Sequence, residues 1–239
     1  MIKLLRTILC IGVFSLGLLS TANANLKARG GGMVYDDVLD ITWLADANYA
    51  QTSGYDSDGR MNFSAANTWA ADLSYGGYDD WRLPTTRPIN GSNFDYKFSL
   101  DGTTDNGYSI TSPKSELAYM YHVALGLKDV WDATGKYQDD YGIFGNGTCC
   151  GENDVGLVQN LQGSIYWSGT EDPLETQNAW AFSTAYGFQS HENDKVMNEF
   201  DVWAVRDGDV AAIPEPETYA MLVLGLAVLF GFGRLRKQS

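Results

Sequence analysis

Two apolar runs, one near each end of the chain, limit how much of it can fold into a globular domain. Near the start, Lys3 and Arg6 precede an apolar stretch from Ile8 to Leu19, and Ala22-Asn23-Ala24 then supplies the small-x-small pattern that signal peptidase accepts. The stretch is short for a membrane span, which takes ~20 residues, and it has no stop-transfer flank. Residues 1–24 are therefore expected to be a signal peptide, with Ala22 and Ala24 at the cleavage site and Asn25 as the first mature residue. Toward the other end, Pro214 and Pro216 can continue neither a helix nor a strand, so they detach the C-terminal tail from the part of the chain that folds before them. Residues 218–233 are apolar apart from Thr218 and the hydroxyl of Tyr219, and the cations Arg234, Arg236 and Lys237 come immediately after, a flank that stays cytoplasmic. What is left to fold is residues 25–212, one exported domain.

The order Ile213-Pro214-Glu215-Pro216-Glu217-Thr218, apolar segment, basic cluster resembles the PEP-CTERM sorting signal of Gram-negative bacteria that make extracellular polysaccharide. The resemblance implies that an exosortase, a membrane protease-transpeptidase, recognises Pro214, Glu215 and Pro216 and removes the hydrophobic helix. Residues 213–239 would then be a transient inner-membrane anchor, and the cell surface or extracellular matrix the destination. An ordinary transmembrane anchor is the other reading; the shortness of the run favours the transient one.

Charge narrows the partners. The chain has 16 Lys and Arg against 30 Asp and Glu. Without the five cations and two acids of the terminal segments (Lys3, Arg6, Arg234, Arg236, Lys237, Glu215 and Glu217), residues 25–212 hold 11 against 28, a net charge of −17. Nucleic acid and anionic lipid are therefore poor partners, and neutral or cationic polymers, divalent cations, or nothing charged at all fit better. Seven Trp, all between residues 43 and 203, supply the core of a single domain.

Cys10 leaves with the signal peptide, so Cys149 and Cys150 are the cysteines of the mature chain. Side by side in an oxidising compartment, they have two fates. One is a vicinal disulfide, strained because neighbouring alpha carbons stand only ~3.8 Å apart across a trans peptide. The other is a pair of free or intermolecularly bonded thiols in the surface loop from Gly145 to Gly151. No C-x-x-C occurs, so neither a thioredoxin-like site nor a zinc site is supported.

Within the exported part the spacing predicts two helices. Asn62 or Ser64 caps the first, whose apolar face is Phe63, Ala66, Ala70 and Leu73, and Gly76-Gly77 ends it. Ser112-Pro113 opens the second, with Leu117, Met120, Tyr121, Ala124 and Leu125 on its buried face and Gly126 as its stop. Strands are expected over Met33 to Tyr35, Ile41 to Leu44, Ser164 to Trp167, Ala179 to Ser183 and Val202 to Arg206. Long polar loops, Thr86 to Asn106 and Lys128 to Asn160, join them.

These segments carry a second resemblance. Thr42-Trp43-Leu44, Ala65-Ala66-Asn67-Thr68-Trp69-Ala70 and the run Gly76-Gly77-Tyr78-Asp79-Asp80-Trp81-Arg82-Leu83-Pro84-Thr85 are similar to the Lcl C-terminal-like domain family. Ser115-Glu116-Leu117, Tyr166-Trp167-Ser168-Gly169-Thr170, Ala179-Trp180-Ala181-Phe182 and Val205-Arg206 continue the match, which covers residues 33–210. It implies an α+β fold: a single C-type-lectin-like domain, two helices against irregular antiparallel sheets. Some members sit in bacterial surface adhesins that bind glycans. From the residues themselves, Trp81, Trp167, Trp180 and Trp203 lie in strand-like runs with alternate polar neighbours and are expected in the core, with a ligand platform as the alternative. Arg82 is expected to pair with a carboxylate, Glu116 being one candidate.

No catalytic residues are identifiable. His122 and His191 are the histidines, with no Ser or Cys near them in a nucleophile-elbow pattern; His122 sits at the margin of the second helix face, and His191 in a polar run that reads as a turn. Acidic residues are plentiful, but abundance does not make a matched pair. Calcium is the one cofactor left open, with Asp56 and Asp58 as candidate ligands. Asp56-Ser57-Asp58-Gly59 lacks the Gly at position six and the Glu at position twelve of an EF-hand, and Glu171-Asp172-Pro173 is not a lectin-type sugar motif. The expected function is a non-catalytic glycan- or matrix-binding module associated with exopolysaccharide or biofilm. The alternatives are a carboxylate-dependent enzyme acting on matrix glycans and a purely structural envelope protein. Exposed aromatic side chains in the two long loops would favour binding over a structural role.

The bipartite termini predict that the mature protein lacks both apolar segments. Intact-mass analysis of the protein from cells with an active exosortase is expected to show a chain beginning at Asn25 and ending near Pro214. A steady-state product retaining Tyr219 to Phe232 would contradict the sorting reading.

Overall fold

The computed structural model describes residues 26–210. The signal peptide with Ala22 and Ala24, and the tail with Pro214, Glu215, Pro216 and segment 218–233, lie outside the described residues. Among the described residues, no helix is long and apolar enough to cross a membrane.

The architecture is α+β. The chain opens as a meander of β1 (Leu26–Arg29), β2 (Met33–Asp36) and β3 (Ile41–Leu44). One turn of helix, α1 (Tyr49–Thr52), and a short β4 (Arg60–Met61) lead to α2 (Phe63–Ala71). The strands β5 (Phe98–Ser99) and β6 (Asn106–Gly107) come next, then α3 (Glu116–Tyr119), which continues as a π turn over Met120–Ala124. The remainder is β: β7 (Glu152–Val155), β8 (Val158–Gln162), β9 (Ile165–Glu171), β10 (Asn178–Ser183), β11 (Phe188–Asp194), β12 (Phe200–Asp201) and β13 (Val205–Asp207).

Three sheets result. The first runs β1-β2-β3-β13, and its register sets Trp43 between Val34 and Val205, so the last strand closes on the third. The second has seven strands in the order β4-β12-β9-β10-β11-β6-β5, and β7 with β8 makes a separate hairpin. Strand β10, at the middle of the large sheet, is buried at every position, and a bulge between Ala179 and Ala181 interrupts its register with both neighbours. A bulge lets a strand re-aim one side chain, here Trp180.

The start and face of α2 are as predicted, with the Asn62 side chain accepting from Ala65 N at 3.0 Å and Phe63, Ala66, Trp69 and Ala70 buried, but the helix ends at Ala71 with Asp72 as its C-cap, so Leu73 lies beyond it and Gly76-Gly77 does not end it. The second helix starts later than expected. Ser112 and Pro113 precede it, and Ser115 is its extended N-cap residue, because a bridge to Thr86 and the bond Glu116 N to Thr85 O (3.0 Å) hold that stretch against the chain. Leu117, Met120 and Tyr121 are buried as read, and Gly126 (φ +64°) ends the run. The expected strand from Val202 to Arg206 is broken, with Val202 to Ala204 between β12 and β13. Each long loop also contains strands, β5 in the first and β7 in the second. His191 is not in a turn: it lies in β11, buried, its Nδ1 2.8 Å from Asp172 Oδ2.

The four tryptophans read as core are buried. Trp203 packs on Trp43 (centroids 4.5 Å apart) and donates from Nε1 to Leu44 O at 2.7 Å. Trp167 packs between Phe63 and Phe200 and donates to Met61 O at 2.8 Å. Trp81 meets Tyr75 edge-on at 6.0 Å, and Trp180 stacks on Phe94 at 4.6 Å. Replacing Trp81 with Ala should therefore cost ~3 to 5 kcal/mol, a large part of a domain's ~5 to 15. Thermal melts of the mature protein check this, and an unchanged midpoint would place the ring outside the cooperative core.

Candidate functional site

The two long loops meet on one edge of the large sheet and present aromatic rings there. In the second loop, Trp131 and Tyr137 face each other across a short bridge (centroids 5.6 Å, near perpendicular). The turn between them is closed by Asp132 N to Lys136 O (2.9 Å), and the Asp132 carboxylate accepts from the backbone of Thr134 and Lys136. Tyr137 passes on to Tyr141 (6.0 Å), and Tyr141 to Tyr186 in the β10–β11 turn (6.0 Å). Beside them Tyr108 packs on Phe188 at 5.0 Å, and Phe98 of β5 leans on both. The Cβ position of Gly135 lies 3.2 Å from Leu100 Cδ1, which joins the turn to the first loop. Four of the rings are open to solvent: Phe98 (58%), Tyr137 (52%), Tyr186 (42%) and Trp131 (38%). This much exposed aromatic surface on one edge makes it the candidate site.

A buried polar group supports this face from below. Asp129 Oδ2 accepts from Ser109 N (2.6 Å) and Ser109 Oγ (2.8 Å), Val130 N donates to Tyr186 O (3.1 Å), and Gln138 Nε2 donates to Asp129 O (2.9 Å). Gly187 (φ +74°) is required at the β10–β11 turn, since a Cβ there would stand 1.9 Å from Asp129 Oδ1. His122 Nδ1 lies 3.3 Å from the same oxygen, and both side chains are almost wholly buried. Burial pushes the Asp129 carboxyl up to about 7 and the His122 imidazole down to about 4. Ser109, Asp129 and His122 have the side-chain types of a hydrolytic triad, but in the wrong order. The carboxylate sits in the middle and receives the serine hydroxyl, whereas a triad needs the imidazole next to the serine.

The other residues singled out in the sequence lie elsewhere. Asp56 Oδ1 accepts from Asp58 N (3.0 Å) and Gly59 N (2.9 Å), and Asp58 Oδ1 from Arg60 N (3.1 Å), so both candidate calcium ligands serve their own loop. Among the described residues, no group of three or more His, Cys, Asp or Glu is placed to hold a metal ion. Arg82 pairs with Glu116 through both terminal nitrogens (2.8 and 3.0 Å), as anticipated, and also with Asp207 (2.6 Å). Cys149 is half-buried and Cys150 exposed, both unbridged, beside the aromatic face. A cleft of about 720 Å³ opens between α2 and the β11–β12 connection, but its charged pair, Lys195 and Glu171 (2.9 Å), is satisfied internally, and its one aromatic ring, Phe63, is buried. The signal that could have found the aromatic face was the density of Trp and Tyr in loops otherwise rich in Gly, Asn and Asp.

Residues 32–206 match the Lcl C-terminal domain, and residues 212–237 match the PEP-CTERM protein-sorting motif. No curated protein and no solved structure matches the chain.

The buried pair gives a pH test. Between pH ~4 and ~6.5 the unfolded chain holds one proton on these two groups, on histidine, and the folded chain also holds one, so the pair adds no slope to stability. Asp129→Asn removes the folded-state proton but leaves His122 buried and neutral. The unfolded state then binds one more proton, and stability should rise with pH by about 1.4 kcal/mol per unit across that window, relative to the parent. Urea titrations at pH 4.5 and 6.5 measure the difference. Equal pH dependence in the two proteins would mean that His122 is charged in the folded state.

Proposed function

The chain belongs to the Lcl C-terminal domain family, and from that premise we propose that it is a non-catalytic, lectin-like module that binds a neutral or cationic polysaccharide of the extracellular matrix. The sorting motif supports an exported, exosortase-processed protein whose destination is the surface or matrix. One observation carries the binding reading: Trp131, Tyr137, Tyr186 and Phe98 stand exposed on one edge of the fold, drawn from both long loops and the adjoining turn. Aromatic faces bind the apolar faces of sugar rings, which are poorly hydrated, while ring edges and hydroxyls meet the sugar's polar rim. The net charge of −17 on residues 25–212 disfavours acidic polymers at low salt unless a cation bridges them. In this reading signal peptidase and exosortase are processing partners, and calcium is an accessory at most.

Affinity electrophoresis of the mature protein through gels containing purified matrix polysaccharide, with and without calcium, tests the proposal. The expected result is retardation without new reducing ends, lost in the double variant Trp131→Ala, Tyr137→Ala. Release of oligosaccharides would make the protein an enzyme. Equal mobility with and without polysaccharide, in both calcium conditions, would leave a structural envelope protein.

A further inference from the structure

A small cleft of about 320 Å³ opens where α1 and α2 both end. Ser53, the residue that caps the end of α1, and Asp72, the residue that caps the end of α2, both line it. The carbonyl end of a helix carries partial negative charge, which a basic residue in the last turn balances. Neither helix has one. The lining includes no Lys, Arg or His, and among the described residues no cation or hydrogen-bond donor meets the Asp72 carboxylate. The cleft is therefore negative, with nothing of its own to balance it.

Aromatic rings supply the rest of the wall. Tyr49, Tyr55 and Trp69 line the cleft. Trp69 is buried on the core face of α2, and Tyr49 is fixed by the edge-on ring of Tyr75, with centroids 4.9 Å apart. Tyr55 stands exposed at the rim, but its backbone is held on both sides: Gly54 N donates to Gln51 O at 2.8 Å, and Asp56 N to Ala50 O at 2.9 Å. Gly54 makes that turn at φ +76°, a conformation that other residues rarely adopt. The rim is thus formed before any ligand arrives, which lowers the cost of binding.

We propose that this cleft binds the protonated amine of an amino sugar. Rings, an unpaired carboxylate and two helix carbonyl ends all attract an organic cation, and aromatic cages are a known way to hold one. The ammonium lies among the rings and donates to Asp72, while the hydroxyls of Ser53 and Ser74 meet those of the sugar. A quaternary ammonium has no N–H to give to Asp72, so a primary amine suits the site better. The volume is at the small end for ligand sites, room for one sugar unit. The net charge of −17 on residues 25–212 draws such cations to the surface at low salt. The cleft shares no residue with the aromatic face, so the proposal stands whether or not that face binds polysaccharide.

Amide NMR titration of the isotope-labelled mature protein with glucosamine tests it, at low salt and about pH 6, where a primary amine is protonated. N-acetylglucosamine is the neutral control and choline the quaternary one. The expected result is saturable shifts at residues 53–55 and 72–74 with glucosamine, and binding of both controls about 5-fold or more weaker. Asp72→Asn should weaken glucosamine binding about 3- to 10-fold and Tyr55→Ala about 2- to 5-fold, whereas Tyr55→Phe keeps the ring and should restore most of that loss. Both residues are exposed, and thermal melts check that the variants fold. The double variant Trp131→Ala, Tyr137→Ala should leave these shifts as they are. The proposal is overturned if residues 53–55 and 72–74 show no saturable shift, if N-acetylglucosamine or choline binds as tightly as glucosamine, or if folded Asp72→Asn binds like the parent.

Discussion

The fold hangs on how Arg82 is held. Its guanidinium spans Glu116 at the start of α3 and Asp207 in β13, while its backbone N–H and C=O both bond Val205 at 2.8 Å. Glu116 is almost wholly buried, and its second duty is to accept from Thr85 N at 2.7 Å. A carboxylate taken out of water is costly unless a cation and further donors meet it, so the segment Trp81 to Thr85, the helix and the last strand must assemble together or not at all. A second arginine repeats the device: Arg206 grips Asp80 through two nitrogens (2.7 and 2.8 Å) and lies over the Tyr78 ring at 4.1 Å. Next to it, Gly169 N donates to Pro84 O (2.8 Å), and Ser168 bonds both Pro84 O and Thr86 Oγ1, which brings β9 onto the same segment.

The motifs that make the chain legible are thus the parts of one clamp. Tyr78, Asp80, Arg82 and Pro84 meet Glu116, Ser168, Gly169, Val205 and Arg206. Such contacts need specific side chains at fixed spacing, and that leaves a readable trace in one sequence. The start of the α2 helix and the strands β2, β3 and β10 were readable for a simpler reason: α2 shows an apolar period that matches its buried face, and the strands are short aromatic-rich or β-branched runs that end up buried. Elements whose reason lies far away in the chain were not readable. The polar run around His191 became a strand because β10 and β6 flank it and Asp172 satisfies the imidazole. The start of α3 moved past Pro113 because Thr85 and Thr86 claim Ser115 and Glu116 in extended form.

The aromatic face was legible only as loop composition, not as an assembled surface. Its rings come from four places in the chain, and what assembles them is Asp129, which sits below the surface and ties Ser109, the residues after it and the β10–β11 turn into one support. No local period announces such a platform. Scaffold and face are also separable in physical terms. The clamp uses charge, hydrogen bonding and burial to fix the sheets, whereas the face uses exposed rings on loops, and such loops can vary while the frame stays.

The placement of the chain ends bears on what the face can do. β1 and β13 belong to the same four-stranded sheet, and Arg29 clasps Asp209 through two nitrogens, each at 2.7 Å. Both ends of the described domain therefore leave from one sheet, and the aromatic face shares no strand with it: its sheet residues come from β5 and β11, at the far edge of the other sheet. A tether attached after Val210 pulls on Arg29, Asp209 and β13, not on the loops bearing Trp131 and Tyr137. On the proposed function, anchorage and recognition would load different parts of the molecule, and binding at the face would not have to be strong to be useful. A weak site repeated over many tethered copies gains through effective concentration what each copy lacks, provided the face stays free to meet the polymer. Under the proposed function that arrangement would suit a long and repetitive ligand.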